Sequence, residues 1–205
     1  MIIVRAGDFF GPGAANNWFS ACLVKPNAPV TTIRNPARGV GHQWAYLPDV
    51  AETIARLVER ADELPRFARY HLAGVFDADG SEMADAIRRV TGGTARVTKF
   101  PWWVVPVAAP FSRFMRELRE MRYLWQQPLR MTNDALVAEL GAEPHTPLDE
   151  AVRTTLDALG CLPCLPCLPV PPRYLLVPTG VYWCPQETNS KVSRLRPMSG
   201  FPTTI

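Results

Sequence analysis

Long hydrophobic runs are missing from this chain. The longest, Phe100 to Phe111, is about half of what a membrane-spanning helix needs. No span is expected, and the start of the chain carries no secretory pattern. Excess charge is missing from the body. Lys and Arg number 22 and Asp and Glu 19, but 18 of each fall within residues 1–160, so the whole +3 comes from residues 161–205. A neutral body offers no electrostatic case for nucleic acid or an anionic membrane as partner. Cysteine is nearly absent from the same body. Of five, only Cys22 lies outside residues 161–205, which suits a reducing compartment, the cytoplasm. What remains, 47% apolar and 20% charged residues, is ordinary globular material.

The most informative stretch comes first. Met1-Ile2-Ile3-Val4-Arg5 is apolar and β-branched and runs into the turn residues of Ala6 to Gly13. That reads as a buried strand delivering a loop to its C-terminal edge, where ligands bind in open α/β sheets. A buried parallel strand needs neighbours on both sides.

Downstream, Ala15 to Val24 reads as a short helix begun by Asn16 or Asn17, with Cys22 as a small apolar residue. Two extended runs, Val30–Arg34 and His42–Leu47, flank turn residues and read as a hairpin or as short strands joined by a loop. Asp49 with Glu52 three residues on is a reciprocal cap pattern. The helix it opens carries Val50, Ile54, Leu57, Val58 and Ala61 on one face and ends near Leu64-Pro65. Arg69–Val75 reads as a strand, Ser81–Val90 as a helix closed by Gly92-Gly93, and Ala95–Phe100 as a strand. Pro101–Pro110 is an irregular connection or a short broken helix. Phe111–Gln127 reads as one amphipathic helix with Phe111, Phe114, Met115, Leu118, Met121 and Trp125 inward. Its Arg113, Arg116, Arg119 and Arg122 form either an anion-binding ridge or, the favoured reading, a solvated face. Helices over Asn133–Leu140 and Leu148–Leu159 complete the body. The alternation of strands and helices defines an α/β chain, one that falls short of a full doubly wound sheet.

Residues 161–205 break the pattern. Cys161-Leu-Pro-Cys164-Leu-Pro-Cys167-Leu-Pro is an exact three-residue repeat. A proline every third residue favours an extended rod that spaces equivalent side chains about 9 Å apart. That is too far for sulfurs to share one ion held at about 2.3 Å from each, so no metal is expected. This Pro/Cys-rich stretch reads as a disordered tail on a 1–160 domain.

Three segments carry a family resemblance. Arg5-Ala6-Gly7-Asp8-Phe9-Phe10-Gly11-Pro12-Gly13 resembles the R-x-G-x-x-(F/Y)-G-P-G strand and loop of NAD(P)-dependent epimerase/dehydratase proteins, the extended short-chain dehydrogenase/reductases. Tyr46-Leu47-Pro48-Asp49-Val50-Ala51 resembles their (F/Y)-(I/V)-x-D-(V/L)-A segment. Leu140-Gly141-Ala142-Glu143-Pro144-His145-Thr146-Pro147-Leu148-Asp149-Glu150-Ala151 resembles their L-G-x-x-P-x-T-x-L-x-E-(G/A) ending. Together these imply the C-terminal, substrate-side portion of a Rossmann-like NAD(P)-binding epimerase fold.

Two family motifs are absent. No G-x-G-x-x-G or G-x-x-G-x-x-G follows a strand. None of Tyr46, Tyr70, Tyr123, Tyr174 or Tyr182 has a lysine four residues on, so Tyr-x-x-x-Lys is missing. The resemblance thus implies a truncated sugar-nucleotide-type oxidoreductase or isomerase, inactive alone, with no catalytic residue of its own. The alternative is a non-catalytic binding module derived from that fold. NAD or NADP is the implied cofactor, its main binding half absent. By resemblance Ala6, Gly7, Asp8 and Phe9 would pass its nicotinamide end, and Asn16, Asn17, Arg38, His42 and Gln43 would face substrate. For general-base work His42 needs a partner that the sequence does not reveal. The implied partners are a small molecule such as a nucleotide sugar, and a second copy or a complementing N-terminal half. An edge strand without neighbours also invites association.

Overall fold

A computed structural model describes residues 1–14, 17–37 and 39–162, the side chain of Phe114 excepted. The Cys164 and Cys167 repeat, Cys184, Asn16 and Arg38 lie outside the described residues. The opening apolar run folds as two strands, β1 (Ile2–Arg5) and β2 (Asp8–Phe10). The break between them falls at Gly7, where the backbone of Gln43 comes so close that a Cβ would stand 2.2 Å from its carbonyl oxygen. Only glycine fits such an approach.

A π-helical turn, Phe19–Leu23, follows. Asn17 starts it: the Asn17 Oδ1 accepts from the Ser20 N–H at 2.8 Å and from the Ser20 hydroxyl at 2.9 Å. The two extended runs do not form a hairpin. The first gives β3 (Thr32–Asn35), which pairs in parallel with β7 (Arg96–Lys99). The second gives β4 (His42–Tyr46), all five residues of it buried, which pairs in parallel with β2. Side-chain burial separates them: β3 exposes Thr32 and Arg34, whereas β4 is covered on both faces.

Helix α1 spans Leu47–Glu59 with Pro48 in its first turn and Tyr46 at its cap. It therefore starts two residues before Asp49, and the reciprocal cap with Glu52 does not form. Glu52 pairs with Arg56 at 2.8 Å. The Asp49 carboxylate accepts from the Thr146 N–H at 2.8 Å and the Thr146 hydroxyl at 2.7 Å, across 97 residues of sequence.

The expected Arg69–Val75 strand is two, β5 (Ala68–His71) and β6 (Val75–Asp77). Gly74, at φ 51°, turns the chain between them where a Cβ would meet the Trp44 carbonyl at 2.3 Å. β5 pairs in parallel with β1, and β6 in antiparallel with β4. Three small sheets result, ordered β1-β5, β2-β4-β6 and β3-β7. Among the described residues β1 pairs on one side only, and its Ile2, Ile3 and Val4 are half-buried.

Helix α2 (Glu82–Val90) buries Met83, Ala84, Ala86 and Ile87. The buried Asp77 carboxylate accepts from the Gly80 and Met83 N–H groups at 2.8 and 3.1 Å, filling donors that a helix start leaves open. Helix α3 (Val104–Ala108) is a single broken turn. It tolerates Pro106 because the first-turn N–H groups have no intrahelical partner anyway. The amphipathic segment after it is interrupted. α4 (Arg113–Met121) is capped by the Ser112 hydroxyl, and a 3₁₀ turn, Arg122–Trp125, follows. Phe111 precedes that cap and is exposed, so it leaves the inward stripe. Arg113 pairs with Glu117 at 3.0 Å on the solvated face. α5 (Asp134–Leu140) and α6 (Leu148–Ala158) close the fold.

The apolar side chains gather in two clusters. The smaller joins Ala45, Val50, Leu57, Tyr70, Leu72 and Leu136 between β1-β5, α1 and α5. The larger surrounds Phe10, Phe19, Trp44, Ile87, Trp125 and Leu156 and includes Cys161. Burial of each large side chain there contributes about 1.5–3 kcal/mol. Among the described residues no helix is long and apolar enough to cross a membrane.

Candidate functional site

The parallel pairing of β2 with β4 sets Asp8 opposite Trp44, with His42 one turn of the pleat away. The Asp8 Oδ2 and His42 Nε2 are 2.9 Å apart. His42 is thus given the partner that the sequence did not reveal, from a strand 34 residues upstream. Its ring lies flat on Trp125, centroids 3.7 Å apart at 10°, and edge-on to Trp44 at 5.0 Å. The imidazole is 7% exposed, so the pair is held from both faces. A carboxylate on one ring nitrogen selects the tautomer that donates to it. His42 Nδ1 and Asp8 Oδ1 have no hydrogen-bond partner among the described residues.

Asp8 lies on the walls of two cavities. One, of about 190 Å³, is lined by Ala6, Gly7, Asp8, His42 and Gln43 together with Leu124, Leu129 and Met131. The other, of about 450 Å³, is lined by Asp8, Phe9, Asn17, Trp18, Cys22 and Phe100, with Met115, Glu117, Leu118 and Met121 of α4. Seven of the nine site residues expected from the sequence therefore line one or other of these two cavities, with Asp8 on both; the other two, Asn16 and Arg38, are undescribed.

Convergence does not leave all of them free. The Gln43 side chain is spent on backbone. Its Nε2 donates to the Leu72, Ala73 and Met131 carbonyls, and its Oε1 accepts from the Met131 N–H at 2.8 Å. It clamps the β5–β6 connection to the segment before α5. Asn17 donates to the Ala14 carbonyl at 2.9 Å while capping the π turn. Of the expected residues on these walls, Asp8 and His42 each keep one side-chain atom, Oδ1 and Nδ1, without a hydrogen-bond partner among the described residues.

Burial pushes the Cys22 thiol up to about 11, a shift that nearby Arg34 only partly offsets. The thiol is therefore protonated at neutral pH and is a poor nucleophile there. Trp18 stands on the cavity wall with its ring 5.1 Å from Trp125, 6.0 Å from Trp102 and 6.5 Å from Phe100. The Arg122 Nε and Trp125 Nε1 are buried without a hydrogen-bond partner among the described residues. The places of Trp18 and Trp125 beside the site were not visible in the sequence, where Trp125 read as part of the inward helix stripe. Among the described residues no group of three or more His, Cys, Asp or Glu could hold a metal ion.

No family model matches the sequence, and no curated protein matches it. Solved structures match in fold. RMD from Pseudomonas aeruginosa, solved with NADPH, has a TM-score of 0.51 at 12% identity, covering 78% of this chain and 47% of its own. A UDP-galactose 4-epimerase has a TM-score of 0.51 at 14% identity, covering 78% and 44%. UDP-glucose 4-epimerase from Bifidobacterium longum, solved with NAD+ and UDP, has 0.50 at 10%, covering 77% and 46%. The chain has the Rossmann-like α/β fold of NAD(P)-dependent epimerases, and it spans less than half the length of these structures.

Among the described residues no glycine-rich loop fits the phosphates of a dinucleotide. Such a cofactor needs a glycine-rich loop opening onto a helix N-terminus. In the opening loop, the space beside Gly7 is filled by the Gln43 backbone and that beside Gly11 by Leu47 and Pro48, while that beside Gly13 is open. Gly92 and Gly93, at φ 81° and 79°, close α2.

Proposed function

We propose that this chain is the substrate-side part of an NAD(P)-dependent epimerase/dehydratase-type enzyme, a sugar-nucleotide-type oxidoreductase or isomerase, and that it does no redox chemistry alone. The observation that carries this reading is the coverage: about three-quarters of the chain matches the fold of the epimerases, and less than half of each epimerase is matched. The lack of a glycine-rich loop and of Tyr-x-x-x-Lys supports the inactivity. The site wall would be the Asp8–His42 pair, with Ala6, Gly7, Asp8 and Phe9 passing the nicotinamide end of a cofactor held by a complementing N-terminal half, and Asn16, Asn17, Arg38, His42 and Gln43 facing substrate. The one-sided pairing of β1 offers that half an edge to join. Cys22 and Cys161, in no disulfide among the described residues, fit a reducing, cytoplasmic setting.

The test is to read the DNA upstream of Met1 and express any continuous frame fused to this chain. A glycine-rich βαβ unit and a Tyr-x-x-x-Lys there, with NADH binding by the fusion, are the expected result. An upstream sequence without them favours the second reading, a binding module derived from the fold. That reading has its own support: the 450 Å³ cavity is walled by this chain's own residues.

A further inference from the structure

Residues Phe100 to Ser112 carry no charged side chain and fold around helix α3. One face of this stretch is anchored. Trp102, Val105 and Ala109 are buried, and the Trp102 indole N–H donates to the Pro36 carbonyl at 2.9 Å. The other face is as apolar and is uncovered among the described residues. Trp103 is 72% exposed, Val107 63% and Phe111 91%. Trp103 and Val107 stand four apart on helical backbone, so they share a face. Phe111 follows at the same interval, in a turn closed by its N–H on the Ala108 carbonyl at 3.0 Å. A helix that is apolar all round belongs in a core or in lipid.

The surroundings say what covers this face. Residues 1–160 are neutral only in sum. Between Arg96 and Arg122 there are six Lys and Arg against two Glu, a local excess of four positive charges. Arg96, Lys99, Arg116 and Arg119 are exposed and make no ion pair among the described residues. Cations therefore flank the apolar stretch in the chain before and after it. A protein partner would be held by polar groups as well, at about one hydrogen bond per 100–200 Å². The exposed side chains here, Trp103, Pro106, Val107, Pro110 and Phe111, offer a single donor, the Trp103 indole N–H. Pro106 and Pro110 have no backbone N–H to strand in a medium without water. Tryptophan, with an apolar body and a polar tip, is the side chain that settles at the headgroup level of a bilayer.

We propose that residues 100–112 lay this chain on the surface of an anionic lipid bilayer, with Trp103, Val107 and Phe111 in the boundary between headgroups and acyl chains and Lys99, Arg116 and Arg119 at the lipid phosphates. Apolar burial and attraction between unlike charges would act together, as they do for helices that lie in the plane of a membrane. The chain lies on the bilayer and does not cross it, since among the described residues no helix is long and apolar enough to span. The inference rests on this face alone and not on the presence or absence of a cofactor half.

The experiment is co-sedimentation of the full chain with vesicles of phosphatidylcholine alone and of phosphatidylcholine with phosphatidylserine at about 3:1, beside a spin without vesicles that counts aggregates. Partition into the mixed vesicles is expected to exceed that into phosphatidylcholine by about tenfold or more. That preference should vanish at about 1 M NaCl, where screening cuts the reach of a charge to about 3 Å. The double variant Trp103→Ser, Phe111→Ser should lose about tenfold or more of the partition into both kinds of vesicle. Arg116→Gln with Arg119→Gln should lower binding to the mixed vesicles only. Val58→Ser, which removes an exposed apolar side chain from α1, should change nothing. Circular dichroism establishes that the variants are folded, and if the double variant is not, the lipid and salt dependence of the unaltered chain decides. No binding to either vesicle, equal binding by the double variant, or a dimer in sedimentation velocity that the double variant abolishes while vesicles bind neither form overturns the proposal. The NADH experiment has a separate readout, so failure of one leaves the other standing.

Discussion

Asp8 and His42 meet at 2.9 Å across the parallel pairing of β2 and β4, and Trp125 covers the imidazole from a 3₁₀ turn more than eighty residues on. The contact joins the opening loop to the central strand and the strand to the helical part of the chain. If the stack and the hydrogen bond act separately, two substitutions divide them. His42→Phe keeps an aromatic face under Trp125 and loses the bond to a partly solvated carboxylate, at about 1 kcal/mol. His42→Ala loses both and opens a cavity, at about 2–3 kcal/mol. Urea unfolding followed by tryptophan emission measures the difference. Equal losses for the two would show that the stack contributes nothing.

The tie between Asp49 and Thr146 is a second long-range prediction. Removing the carboxylate leaves the Thr146 N–H and hydroxyl without their acceptor. Asp49→Ala should cost about 1–3 kcal/mol, and Asp49→Asn, which keeps one acceptor, should cost less. A plain first-turn acid acting only on the helix dipole would instead give under about 1 kcal/mol for either change.

Much of the order of elements could be read from periodicity, because Val50, Leu57, Met83, Ile87, Val152 and Leu156 do face the core. Partners could not. β3 and β4 look like a hairpin when adjacent residues are all one has, yet each pairs with a strand far along the chain, and parallel register leaves no local trace. Asp49 fits a local cap by spacing, and only the folded chain shows Thr146 at its oxygens. The Phe111–Gln127 helix was expected to be continuous because its apolar residues keep helical spacing. Ser112 caps it late and the 3₁₀ turn ends it early. In the site, residue types were legible around Asp8, whereas their availability was not: Gln43 and Asn17 have their polar atoms engaged with the backbone.

The Cys22 thiol offers a chemical test of its burial. With the other four cysteines replaced by serine, labelling of Cys22 by iodoacetamide should be slow at pH 7.5. The rate should climb steeply only as pH approaches about 11, where the thiolate forms. A rate plateau below pH 9 would contradict the buried placement.

Acid stability should report the joint between α2 and α6. The Arg89 guanidinium bonds the Asp149 carboxylate through Nε and Nη2, the shortest contact 2.7 Å, and holds its pKa below the usual value. A depressed carboxylate contributes stability above its unfolded pKa, about 3.9, and loses it as pH falls through the lower folded value. Both side chains are about half exposed, so screening limits the gain to about 0.5 kcal/mol. Arg89→Ala should lower the midpoint of urea unfolding at pH 7 and have little effect at pH 2. An equal loss at both pH values would rule out the ion pair as its source.

The central claim is that this chain builds the substrate wall of an epimerase-like fold without a cofactor site. Equilibrium titration of the purified chain with NADH, followed by nicotinamide fluorescence, tests it most directly. The account expects no saturable binding up to about 100 µM, a concentration at which a dinucleotide site of even 10 µM affinity would be about nine-tenths filled. Saturable, micromolar binding by this chain alone would contradict it.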